Sequence, residues 1–135
     1  MSAAAGRQAA TGGGIRHVFV YGTLRPGDVR WPILAPFVVG EGVDDTVGGD
    51  LYDTGYDYPA ARFTSSGRTI HGRTFGLLDA SLDRCLGVLD EVEGTVAGLY
   101  RRVLIRTGRG VHAWAYEYGG GLDLVPIPSG DWTTR

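Results

Sequence analysis

One carboxylate of this sequence lies where a general acid or base is expected. Residues 79–93 predict the main helix of the chain, and apolar residues recur along it at i, i+3, i+4 and i+7. These residues are Leu82, Cys85, Leu86 and Leu89. Glu93 continues the same stripe at the end of the helix, where loss of water raises a carboxyl pKa and suits the group to proton transfer. The alternative is that Glu93 turns to solvent, or pairs with Arg101 or Arg102.

A second candidate follows the first apolar run, His17–Tyr21, which predicts a buried strand. Residues 21–24, here named the Tyr21 loop, are Tyr21, Gly22, Thr23 and Leu24. A strand that opens into a glycine-containing loop exposes successive backbone N–H groups, which can hold a carboxylate or an oxyanion. An ordinary tight turn has the same local sequence, so this segment alone leaves both interpretations open.

The other reactive residue types give weaker signals. Three histidines, His17, His71 and His112, occur in strand-like runs without the spacing of metal ligands. Cys85 lies on the apolar stripe of the helix and is expected to be inert. As the single cysteine of the chain, it excludes an intrachain disulfide and a cysteine-based zinc site. The sequence therefore predicts no metal site.

The elements that must position these residues are mostly short strands. Glycine-rich turns separate apolar runs over residues 69–78, 100–106 and 111–118, and the last two runs predict a hairpin. Residues 37–52 predict one bent strand or two short ones, and a further short strand is expected after Pro59. Many short strands with one main helix predict a small α+β fold with a curled sheet or a closed β-barrel.

Length and charge narrow the functional classes. A chain of 135 residues fits one domain, expected over residues 15–135, after a flexible N-terminal tail over residues 1–14. The chain has no lysine, which excludes Schiff-base catalysis. A net charge of −2 with scattered arginines predicts no nucleic-acid binding. No apolar run could span a membrane and no signal peptide is evident, so we expect a cytoplasmic protein with no membrane partner. We expect a monomer, because no long apolar stripe is left over for a partner chain.

Several short motifs follow one another from about His17 to Tyr118. They are Val20-Tyr21-Gly22-Thr23-Leu24-Arg25-Pro26-Gly27, Leu51-Tyr52-Asp53, Tyr58-Pro59-Ala60, Gly72-Arg73-Thr74-Phe75, Leu89-Asp90-Glu91-Val92-Glu93-Gly94 and Leu99-Tyr100. No single motif is specific, but the ordered set resembles the γ-glutamylcyclotransferase superfamily.

The resemblance implies a small mixed β-barrel with one main helix packed alongside, and a reaction that needs no cofactor. In this family the α-amine of a γ-glutamyl group attacks its own γ-carbonyl, and 5-oxoproline and a free amine or amino acid are released. By resemblance, Glu93 is the catalytic acid and base. The Tyr21 loop holds the γ-glutamyl group through its backbone amides, and Tyr100 lies near the glutamate.

Two other functions remain open at the level of the sequence. The same fold could bind a carboxylated or γ-glutamyl metabolite without turnover. It could also use water in place of the internal amine, which would release free glutamate instead of 5-oxoproline. The motifs do not identify the leaving amine.

Overall fold

The computed structural model describes residues 14–95 and 98–135. The predicted tail, apart from Gly14, lies outside the described residues. The strands are β1 His17–Val20, β2 Val38–Gly48, β3 Asp50–Asp53, β4 Pro59–Arg62, β5 Thr69–Leu77, β6 Tyr100–Arg106, β7 His112–Tyr118 and β8 Val125–Pro126. The α-helices are α1 Trp31–Leu34 and α2 Leu82–Val92. Short 3₁₀ turns span Ala35–Phe37, Asp79–Ser81 and Trp132–Thr134.

The larger sheet has five strands in the order β2-β5-β1-β7-β6. Strand β1 lies at its centre, antiparallel to β5 and parallel to β7, with Val18 opposite both Phe75 and Trp114. Val18, Phe19 and Val20 are all buried, because both faces of the central strand are covered. This is why β1 reads as a continuous apolar run instead of an alternating one. The Tyr21 loop therefore begins at the centre of the sheet.

The smaller sheet has the order β4-β3-β8 and joins the larger one through side chains. Glu117 accepts a hydrogen bond from the Phe63 N–H at 3.0 Å. Arg62 donates to the Tyr118 and Gly120 carbonyls at 2.8 and 2.7 Å. The α+β class predicted from the sequence is confirmed, but the strands of the described residues form two sheets and do not close into the expected β-barrel. A carboxylate and a guanidinium link the two sheets through hydrogen bonds to backbone groups.

Two buried clusters lie on opposite faces of β1. On one face the stripe of α2 packs against Val18, Val20 and Phe75, which confirms the predicted orientation of the helix. On the other face Phe19 packs in a cluster that includes Trp132, so the C-terminal segment covers this side of the sheet. Along residues 14–95 and 98–135, no helix has the length and apolar character needed to cross a membrane.

Candidate active site

Glu93 is the residue that caps the C-terminal end of α2. Its N–H still bonds to the Leu89 carbonyl at 2.9 Å, so the helical geometry carries the side chain on to the buried side. Gly94 follows with φ +71°, a left-handed conformation that ends the helix and that glycine adopts without strain. Glu93 is 7% exposed, so it does not turn to solvent. The apolar stripe thus ends in a buried carboxylate.

The partner of this carboxylate is Arg30. Arg30 Nη1 lies 3.0 Å from Glu93 Oε2, and the sequence offers no local signal for this pair because 63 residues separate the two. Burial raises the pKa of Glu93 above its ordinary value, while the charge and hydrogen bond of Arg30 oppose that rise. The carboxyl is therefore tuned by two opposing effects, as is typical of groups that exchange protons.

Arg101 and Arg102, the partners considered from the sequence, bind elsewhere. Arg101 donates to Glu117 Oε1 at 2.9 and 2.7 Å, because residues 101 and 117 face each other across the β6–β7 hairpin. Arg102 donates to Asp90, which also accepts the Tyr116 hydroxyl at 2.7 Å. The Asp90 carboxylate of α2 is thus held by two side chains of the β6–β7 hairpin.

The Tyr21 loop leaves three successive backbone N–H groups without a protein acceptor among the described residues: those of Gly22, Thr23 and Leu24. The carbonyls of the loop are occupied instead. Arg25 N–H donates to the Gly22 carbonyl at 3.0 Å, and Arg30 N–H donates to the Thr23 carbonyl at 2.8 Å. The loop is therefore held in one conformation by its acceptors while its donors stay available, which is the arrangement an anionic ligand or oxyanion requires.

Three tyrosine hydroxyls surround this region, and each donates to a protein acceptor. Tyr100 donates to the Pro59 carbonyl at 2.5 Å, and Tyr21 donates to the Tyr116 carbonyl at 2.5 Å. Burial is the main cause that raises the pKa of Tyr21, Tyr100 and Tyr116 above the ordinary tyrosine value. All three hydroxyls therefore stay neutral at physiological pH.

One pocket brings Glu93, Arg30 and Tyr100 together with the whole Tyr21 loop. The other residues that line it are Phe19, Val20, Tyr58, Pro59 and Tyr116. Every site residue expected from the sequence lines this pocket. Arg30 and Tyr58 were not singled out from the sequence, although Tyr58-Pro59 belongs to one of the quoted motifs.

The weaker candidates lie outside the pocket. None of the three histidines lines it. Cys85 is fully buried in the core, and burial raises the pKa of its thiol to about 11, so the thiol is protonated at neutral pH. In the part of the chain that the structure describes, no group of three or more His, Cys, Asp or Glu side chains is close enough to hold a metal ion.

Comparisons with known proteins concern the family and the fold of the chain. The sequence model of the family described as "Gamma-glutamyl cyclotransferase, AIG2-like" matches residues 18–134. The crystal structure of the uncharacterized protein PH0828 from Pyrococcus horikoshii is 25% identical, with a TM-score of 0.67 over 88% of this chain and 91% of that chain. No curated protein matches the chain significantly.

Two further solved structures are similar in fold. An AIG2-like protein from Mus musculus is 19% identical, with a TM-score of 0.60 over 87% of this chain and 88% of that one. The uropathogenic E. coli-specific protein c4763 is 17% identical, with a TM-score of 0.65 over 88% of this chain and 93% of that one. At this level of identity the likeness concerns the fold alone.

Proposed function

The chain belongs to the AIG2-like γ-glutamyl cyclotransferase family, and we propose that it releases 5-oxoproline from a small γ-glutamyl compound. The observation that carries the proposal is the pairing within one pocket of a buried carboxylate, Glu93, with the unoccupied N–H groups of the Tyr21 loop. Ring closure requires a proton acceptor and oxyanion donors on either side of one substrate, and this pocket offers both.

The reaction begins with the α-ammonium group of the substrate. Glu93 takes one of its protons, and the neutral amine then attacks the γ-carbonyl carbon, forming the new N–C bond while the carbonyl π electrons move to oxygen. The Tyr21 loop N–H groups donate to that oxyanion. Because the pocket holds the γ-glutamyl chain folded, the attack is intramolecular and needs no second molecule to be oriented.

Collapse of the tetrahedral intermediate completes the reaction. Glu93 gives its proton to the leaving nitrogen as the bond from that nitrogen to the γ-carbon breaks and the carbonyl re-forms. The ring nitrogen then loses its extra proton, which ends on the released amine, and one proton stays on the lactam. Glu93 is an ionised carboxylate again, so the cycle balances in protons and needs no external acid or base.

The test is product formation from a panel of substrates. We would incubate the native protein with γ-glutamyl amino acids, γ-glutamyl amines and glutathione, and follow 5-oxoproline and free glutamate by mass spectrometry. Glu93→Gln keeps the size of the side chain but cannot accept the proton, so we expect at least ~10²-fold lower activity. Glu91→Gln is the matched control, because Glu91 lies two residues before Glu93 and is exposed, and this variant should keep native activity.

The products decide between the possible functions. 5-Oxoproline from the native protein and from Glu91→Gln, but not from Glu93→Gln, would support the proposal. Free glutamate would show that water is the nucleophile and would replace cyclisation by hydrolysis. Retention of a panel member without any product would show a binding module and would contradict the proposed activity.

A further inference from the structure

Arg30 joins the two halves of the proposed site. Its backbone N–H donates to the Thr23 carbonyl at 2.8 Å, and its Nη1 donates to Glu93 Oε2 at 3.0 Å and to the Val92 carbonyl at 3.4 Å. We propose that Arg30 is a positioning residue, which holds the Glu93 carboxylate ionised and in one orientation toward the Tyr21 loop. This inference rests on the proposed function and adds to it a residue that sets the basicity of the catalytic group.

The backbone of Arg30 is fixed by the elements on both sides. Arg30 immediately precedes α1, and its carbonyl accepts the Ile33 N–H at 3.0 Å. Leu34, the last residue of α1, is fully buried in the same cluster as the stripe of α2. Because α1 packs against α2, the guanidinium reaches the end of α2 from an anchored position. The contact with Glu93 therefore follows from the packing of the two helices.

The other arginines near this end of the molecule are engaged with other carboxylates. Arg101 is paired with Glu117 and Arg102 with Asp90. Within residues 14–95 and 98–135, Arg30 supplies the one guanidinium found within 4.0 Å of the Glu93 carboxylate. Loss of Arg30 would therefore leave this carboxylate without a cationic partner.

Among the described residues, three tyrosine hydroxyls on neighbouring strands also feel the charge of Glu93. Tyr21 faces it from the end of β1, Tyr100 from β6 and Tyr116 from β7, and Tyr58 lies against Tyr100 with ring centroids 6.2 Å apart. The raised pKa values of Tyr21, Tyr100 and Tyr116 keep these three hydroxyls neutral. They cannot replace the positive charge of a guanidinium, so the ionisation of Glu93 depends on Arg30.

This dependence has a kinetic consequence. The first step requires an ionised carboxylate, but burial favours the neutral acid. The Arg30 guanidinium opposes burial through its charge and its hydrogen bond. Without it, the carboxyl stays protonated to a higher pH, and the acid limb of the pH profile of kcat/KM moves upward. Activity should return at high pH, because the carboxylate can still form there.

The experiment compares Arg30→Met with Arg30→Lys over a range of pH. The methionine keeps an unbranched apolar stem and removes the charge, whereas lysine keeps the charge. We expect Arg30→Met to lower kcat/KM about tenfold on the acid side, the effect of one lost hydrogen bond between charged groups, and to approach the native value at high pH. Arg30→Lys should keep the acid limb close to its native position.

Controls separate this proposal from the proposed function and from a folding defect. Arg68→Met, which removes an exposed arginine paired with Asp50, should leave the profile unchanged. Two results would show that Arg30 does not set the protonation state of Glu93. One is an Arg30→Met protein that has the same unfolding temperature as the native protein but a kcat/KM lowered equally at every pH. The other is an Arg30→Met pH profile that matches the native profile. Absence of 5-oxoproline from the native protein would instead overturn the proposed function itself.

Discussion

Replacement of Gly22 by alanine tests whether the Tyr21 loop and Pro59 together shape the pocket. A Cβ at position 22 would lie 2.6 Å from Pro59 Cγ and 2.8 Å from Pro59 Cδ. Carbon atoms in van der Waals contact are ~3.5–4.0 Å apart, so the two groups must separate by about 1 Å. Gly22 does not have a positive φ, so its backbone accepts an L-residue and the contact itself is the cause of any effect.

Pro59 cannot retreat freely from the new methyl group. It is buried at the start of β4, and its carbonyl accepts the buried Tyr100 hydroxyl. Overpacking of this kind costs about 1–3 kcal/mol of unfolding free energy. A displacement of about 1 Å in a catalytic pocket lowers the rate by about 10²-fold. We therefore expect Gly22→Ala to lower both the unfolding temperature and kcat/KM for release of 5-oxoproline.

The assay pairs thermal unfolding with steady-state kinetics, and Gly87→Ala is the control. Gly87 lies in the middle of α2, and a Cβ there meets no neighbouring atom within 4 Å. Alanine should raise the unfolding free energy by up to ~1 kcal/mol through its helix propensity and should leave kcat/KM unchanged. A Gly22→Ala protein with native stability and native kinetics would refute the steric reasoning.

Three further changes test the core and the electrostatics of the site. Tyr100→Phe removes the donor to the Pro59 carbonyl and should cost about 1–3 kcal/mol of unfolding free energy in urea titrations. Leu89→Ala, at a fully buried position of the stripe, should cost about 2–5 kcal/mol, whereas Leu78→Ala at an exposed position should cost far less. Folding raises the pKa of Glu93, so the folded state favours the protonated carboxyl. The contribution of this group to the free energy of unfolding is therefore complete below the ordinary pKa of 4.5 and is lost as pH rises through the pKa of the folded protein. Glu93→Gln should therefore gain stability relative to the native protein as pH rises from 4 to 8, and a difference independent of pH would contradict this sign.

The local elements of the fold are readable from the sequence because their signals are local. The 3.6-residue period of α2 places Leu89 and Glu93 on one face whatever the rest of the chain does. The continuous apolar run of β1 indicates a strand that is covered on both faces. The segment 37–52 became β2 and β3, which is one of the two outcomes expected. The α+β class followed from these elements.

The spacing of the β6 and β7 strands indicates the partner of Arg101. With a turn around Gly108–Gly110, Arg106 faces His112 across the hairpin. Five residues further along each strand, Arg101 then faces Glu117. Cross-strand neighbours of opposite charge attract each other. This register pairs Arg101 with Glu117 and removes it as a partner of Glu93. The strand spacing therefore excludes Arg101 as the partner of Glu93 and leaves Arg102 open.

The sequence by itself determined the candidate base, the loop opposite it and the family resemblance, because side-chain periodicity and turn chemistry act over a few residues. Only the tertiary structure decided that Arg30 is the partner of Glu93. That contact spans 63 residues and depends on how α1 packs against α2. Only the tertiary structure also decided that the strands form two sheets, which the side chains of Arg62 and Glu117 link through long-range hydrogen bonds. Long-range contacts of this kind arise from packing, which no local pattern records.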